Sequence, residues 1–196
     1  MTDRLVVSGD LPSNDTAARR QLARWVDAGI THVVDVRGEC NDVDFVARHA
    51  PDIRYLWAPT HDSGGAQPHD WFTDTTDWIL SALADDPAAN VLVHCHMGVN
   101  RAPSMAMAAM MAMGTPSTAA LDAIRAARPI AGIIYADQAA DWFHKAAGSN
   151  GERRRADIRA IHAWHRANPV DVSWVVSRIA QRDHLEFFAD HDDTAA

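Results

Sequence analysis

Apolar positions along this chain fall into two alternating patterns. Short unbroken apolar runs occur at residues 4–7, 31–36, 53–57 and 90–94. Runs such as Val33, Val34 and Val36, without polar alternation, suit strands buried on both faces of a parallel sheet. Between them the spacing turns helical. Ala18, Leu22, Trp25 and Val26 fall on one face of a helix that Ser13, Asn14 or Asp15 can cap and Gly29 can end. Residues 42–50 form a shorter helix stopped before Pro51, and residues 69–84 carry Trp71, Phe72, Trp78, Ile79 and Leu83 at helical spacing. Beyond the fourth run the chain is helical throughout, over 102–113, 115–128 and 136–147. This alternation predicts an α/β fold with a central, mostly parallel sheet of four to five strands and helices on both faces. Residues 1–148 read as the main domain. The turn signal Asn150-Gly151 opens an extension, 149–196, of two helices (152–168 and 170–189) parted by Pro169 and packed on the same domain.

In such a sheet the site lies beyond the carboxyl ends of the strands. Residues 37–40, 60–63 and 95–101 converge there, and the last of these carries chemistry. In NVLVHCHMGVNRAPS a strand runs straight into a helix, with Pro103 in the first turn, where its missing N–H costs little. The loop then aims backbone N–H groups and the positive end of the helix macrodipole at one spot, which fits an anion. His96, Met97, Val99 and Asn100 would lend amides, and Gly98 permits the close turn. These amides, with Arg101, favour the thiolate form of Cys95. The Arg101 guanidinium can hold two phosphate oxygens at once, which a lysine could not do with the same geometry. A thiolate in an oxyanion cradle suits phosphoryl transfer from an ester. The run Met105, Met107, Met110, Met111 and Met113 reads as core filling behind the loop.

The spacing His-Cys, five residues, Arg, with Gly in third place, resembles the signature loop of cysteine-dependent protein tyrosine phosphatases, and its short surroundings look most like the dual-specificity branch. The stretch RPIAGIIYADQAADWF is similar to that family's closing segment, so the likeness spans about residues 5–147. The resemblance implies a catalytic domain over 1–148 that hydrolyses phosphomonoesters through a phosphocysteine intermediate, with Cys95 as nucleophile. It implies that His96 to Arg101 bind the phosphate, and that His94 orders the loop and tunes the thiol through hydrogen bonds. Asp62 stands 33 residues before Cys95 on the loop after the third strand, where the family carries its general acid; Asp70 is the alternative. One position departs from the pattern: Ala102 replaces the usual Ser or Thr, and Ser104 should face elsewhere. Slow hydrolysis of the phosphocysteine is therefore expected, and a phosphate-binding module without turnover stays open as an alternative. So does a phosphoinositide or an RNA 5′ phosphate as substrate, although the loop lacks the Lys that lipid-directed relatives tend to carry.

Composition narrows the picture. With 47% apolar residues in 196, the chain can bury a core, and its net charge of −8 disfavours nucleic acid as a partner. No apolar run suits a membrane span and no leader is evident. Two cysteines fit a reducing, cytoplasmic compartment. Cys40 follows the second strand and could approach Cys95, but a lone thiol is the simpler expectation. A single lysine against many arginines, with abundant Ala, suggests a GC-rich bacterial genome. No cofactor or metal is expected, because His94, Cys95 and His96 are consecutive and point in opposite directions. The expected partners are a phosphorylated protein or a small phosphomonoester, with the C-terminal helices offering a homodimer surface.

Overall fold

The computed structural model describes residues 3–171, 173–175 and 177. Four strands, β1 (Leu5–Ser8), β2 (His32–Arg37), β3 (Arg54–Thr60) and β4 (Val91–His94), form one parallel sheet in the order β1-β4-β2-β3. The central strands β2 and β4 are buried along their whole length, as their unbroken apolar runs require.

Successive side chains of a strand point to opposite faces, so each central strand feeds two cores. Val33 and Leu92 pack with Leu22, Trp25 and Val46, beneath α1 (Asp15–Asp27) and α2 (Val43–His49). Val34, Val91 and Val93 pack with Phe72, Ile79, Met105, Leu121 and Trp164 on the other face. That face is covered by α3 (His69–Asp85), α4 (Arg101–Ala112), α5 (Ser117–Ala127), α6 (Ala136–Ala146) and α7 (Gly151–Ala167). Every residue of α4 from Arg101 to Met111 is buried. A helix enclosed on all sides needs small residues for close approach and adaptable ones for gaps, which its Ala and Met supply.

α7 docks on the domain through buried Ile161 and through Trp164, whose Nε1–H donates to Asp122 Oδ1 at 2.6 Å while Arg125 lies 4.9 Å from the ring centroid. The second helix expected over 170–189, with its proposed dimer surface, lies largely outside the described residues; residues 173–175 are helical and Val175 is buried. No helix among the described residues is long and apolar enough to cross a membrane.

One boundary differs in a way that matters. The third strand, expected to stop at residue 57, runs to Thr60 through Pro59. β3 is an edge strand, where a residue without an N–H is tolerated, and its register against β2 shifts between Asp35 and Arg37 to accommodate the extra length. This extension carries the Thr60 carbonyl to the ends of the central strands.

Candidate active site

The loop after β4 is held from outside by its carbonyl oxygens. His96 O accepts from the Asp10 N–H at 3.2 Å, and Val99 O accepts from the Gly132 and Ile133 N–H groups at 2.7 and 3.0 Å. The Arg128 guanidinium donates to Gly98 O from Nε and to Met97 O from Nη2, both at 2.6 Å. Asn100 O begins the α4 ladder at Ser104 N. All peptide bonds here are trans, so each N–H points opposite to the preceding carbonyl. Four outward carbonyls therefore turn the N–H groups of Met97, Gly98, Val99 and Asn100 to the inner side, and the macrodipole of α4 adds positive potential there. Gly98 has φ 63°, and a side chain on it would strike the Ser8 carbonyl at the end of β1. The closeness of that strand is why glycine stands here.

Cys95 is 1% exposed and Arg101 2% exposed. Arg101 donates from Nη1 to Glu39 Oε2 and to Thr60 O, both at 2.8 Å, and from Nη2 to Glu39 Oε1 at 2.9 Å. Its Nε is buried without a hydrogen-bond partner and lies 3.8 Å from Asp62 Oδ2. Burial works against the Arg101 charge, yet Glu39, Cys95 and Asp62 together hold the guanidinium above its ordinary range. Its bond to Arg101 holds the Glu39 carboxyl below the usual range.

Asp62 lies above this group. Its Oδ1 accepts from the Tyr135 hydroxyl at 2.8 Å and its Oδ2 from Asn100 Nδ2 at 3.4 Å. Asp70 is turned to the start of α3, where its Oδ1 accepts from the Trp71 N–H. Ala102 is fully buried, and Ser104 Oγ accepts from Tyr135 N at 3.3 Å.

His94 is fully buried with both ring nitrogens unpartnered. Its ring centroid is 5.5 Å from that of Trp25, and Nε2 is 3.9 Å from Asp35 Oδ1. Burial, with a smaller push from Arg37, outweighs Asp35 and lowers its pKa to about 4, so the ring is neutral at neutral pH. The hydrogen bonds expected of it are not made; the ring fills space behind the loop. Asp35, Asp42 and His94 place potential metal-ligating atoms within 4.8 Å of one another. A cation already stands between the carboxylates: Arg37 Nη2 lies 2.8 Å from Asp35 Oδ2 and 2.6 Å from Asp42 Oδ2. Cys40 is exposed and Cys95 buried, and both are free thiols. His96, exposed on the rim, pairs with Asp10 Oδ2 at 2.8 Å. Beside it opens a cavity of about 600 Å³ lined by Asp10, Asp15, Glu39, Asp42 and Phe45, among others.

The structure thus gathers Cys95, Arg101, Asp62, Asn100 and the inward amides at one place. Sequence reasoning missed Glu39, Thr60, Arg128 and Tyr135. All four lie in stretches already marked, residues 37–40, 60–63 and the closing segment, but none has a local pattern that marks its role.

The crystal structure of human DUSP28 superposes with a TM-score of 0.59 over 75% of this chain and 96% of that one, at 21% identity. PTPMT1 in complex with PI(5)P gives 0.55 over 73% and 93%, at 18% identity. These likenesses show the fold. Human dual specificity protein phosphatase 26 is 34% identical over 93 residues, which are 47% of this chain and 42% of the relative. The chain thus spans less than half the length of that curated relative, and its mammalian source lends nothing to a bacterial origin. The family described as "Dual specificity phosphatase, catalytic domain" matches residues 14–136, and the chain belongs to it.

Proposed function

We propose that this chain hydrolyses phosphomonoesters of phosphorylated proteins, phosphotyrosine first among them, through a phosphocysteine. The Cys95 thiolate attacks phosphorus, forming the P–S bond as the P–O bond to the leaving group breaks. Protonated Asp62 gives its proton to the departing oxygen. Asp62, now a carboxylate, takes a proton from water as the water oxygen attacks phosphorus. The P–S bond breaks, inorganic phosphate leaves and the thiolate returns. The inward amides and Arg101 hold the equatorial oxygens throughout. The observation that carries this reading is the loop with its carbonyls bound outward, enclosing a buried thiol and a guanidinium whose Nε has no partner.

Ala102 supports one other reading, phosphate binding without turnover, since no hydroxyl there assists the second step. Assays of p-nitrophenyl phosphate and a phosphotyrosine peptide separate the two. Under the hydrolase reading, Cys95→Ser lowers turnover by roughly 10⁴-fold or more and Asp62→Asn by about 10²- to 10³-fold. Peptide binding by the wild type with no phosphate release would establish the binding module instead.

A further inference from the structure

The loop 61–68 contains Gly64-Gly65 and on composition alone should swing freely, yet in this structure it is stitched to the start of α6. Tyr135, the N-cap residue of that helix, has no exposed surface. Its hydroxyl donates to Asp62 Oδ1 at 2.8 Å and accepts from the Gly64 N–H at 3.0 Å. Gln138, one helical turn on and so on the same side, accepts from Gln67 N at 2.7 Å and donates to Gly65 O at 3.2 Å. Tyr135 is in turn anchored on α4, its N–H donating to Ser104 Oγ.

We propose that Tyr135 is the positioning residue for the acid, and that it fixes which oxygen of Asp62 carries the transferable proton. This rests on Asp62 acting as the general acid. A neutral carboxyl holds its proton on one oxygen. The tyrosine hydroxyl donates to Oδ1 at 2.8 Å, whereas Asn100 Nδ2 reaches Oδ2 only at 3.4 Å, so Oδ1 is the stronger acceptor and the proton resides on Oδ2. Oδ2 is the oxygen that faces Asn100 Nδ2 and Arg101 Nε, on the side where the leaving group departs. After transfer, the same hydroxyl steadies the carboxylate on Oδ1 and keeps Oδ2 free to receive a proton from water. The second hydrogen bond, from Gly64 N–H, locks the hydroxyl's direction: with that lone pair engaged, the O–H points at Asp62.

Tyr135→Phe removes the hydroxyl and keeps the ring. The comparison is phenyl phosphate, whose phenolate needs a proton to leave, against p-nitrophenyl phosphate, whose nitrophenolate needs it far less. The expected result is a loss of roughly tenfold in kcat/KM, which reports the step that breaks the P–O bond, on phenyl phosphate, a fraction of the whole acid contribution, with less than about twofold in kcat/KM on p-nitrophenyl phosphate. In an Asp62→Asn background Tyr135→Phe should add no further discrimination between the two. An equal loss on both substrates, or a loss that adds to that of Asp62→Asn, overturns the assignment and leaves Tyr135 a packing residue. If Asp62→Asn itself fails to separate the two substrates, the acid lies elsewhere and the positioning role falls with it, a failure distinct from the first. Hydrogen exchange gives a readout independent of turnover. The Gly64 amide should exchange at least about tenfold faster in Tyr135→Phe, with β2 and β4 unchanged; unaltered Gly64 protection would overturn the proposal even in a chain without activity.

Discussion

Arg37 and Arg101 are buried to the same degree, 3% and 2% exposed, and both stand at the carboxyl end of the sheet, yet their surroundings differ. Arg37 meets three carboxylates. Its Nε and Nη2 reach Asp35, Nη2 also reaches Asp42, and Nη1 reaches Asp10; the Tyr55 hydroxyl, with its own proton held more tightly through burial and Asp35, completes the group. Arg101 hydrogen-bonds one carboxylate, half-exposed Glu39, and has Asp62 only at 3.8 Å from an Nε that keeps no hydrogen-bond partner. A guanidinium surrounded by anions is a structural part, because each of its nitrogens already has a carboxylate partner and excess negative charge lies around it. One left short of acceptors in a ring of inward amides is built to receive an anion. Burial alone does not separate the two roles; what separates them is how many donors remain unmatched.

The strongest way to break this contrast is to replace each arginine by methionine. Arg101→Met should lower turnover of p-nitrophenyl phosphate by about 10³-fold, while leaving the melting temperature within a few degrees. Arg37→Met should do the reverse. It leaves Asp35 and Asp42 facing each other without their cation, which costs about 3–5 kcal/mol and lowers the melting temperature by on the order of 10 °C. Exchanged outcomes in calorimetry and kinetics would refute the distinction.

A smaller effect sharpens the structural side. His94 is neutral when folded, with a pKa of about 4 against 6.5 for the free side chain. Between these values the unfolded chain binds more protons than the folded one. The neutral ring thus supports the fold fully above pH 6.5, and this support is lost progressively as pH falls toward 4, on the order of 3 kcal/mol in all. Urea midpoints measured across that range should fall less steeply in His94→Asn than in the wild type; parallel curves would mean the ring titrates normally.

The smallest effect concerns the thiol. A hydroxyl introduced by Ala102→Ser can donate to the departing thiolate, a hydrogen bond worth about 1 kcal/mol, so steady-state turnover should rise roughly fivefold. Rapid-quench traces should show a burst in the wild type that shrinks in the variant. Equal turnover in the two proteins would remove the second step as the slow one.

The sheet, its helices and the loop at Cys95 were legible because apolar periodicity and a strand-loop-helix motif are local signals. The position of Asp62 beside Asn100 and Arg101 follows from its place after the third strand. Glu39 lies in the converging stretch 37–40, but its pairing with Arg101 was not legible: the partner lies 62 residues away, and no spacing rule connects them. Thr60 was placed among the converging residues 60–63 but not at the end of a strand, because the third strand was expected to stop at residue 57. Tyr135 lies in the closing segment, but the bond from its hydroxyl to Asp62, 73 residues back, leaves no local signal. His94 shows the opposite error. Its neighbour in sequence is the thiol, but an enclosed ring beside Trp25 left it nothing to bond.

The break in register around Pro59 also bears on how copies of this chain behave in concentrated solution. β3 is the outermost strand on its side, and Trp57 on it is 42% exposed, so this margin would otherwise be an inviting template for a strand from another molecule. A proline withholds one rung of that ladder and the bulge twists the backbone away from the flat edge an incoming strand requires. The proline that this edge strand tolerates on its way to the carboxyl end of the sheet thereby also guards the sheet against edge-to-edge aggregation.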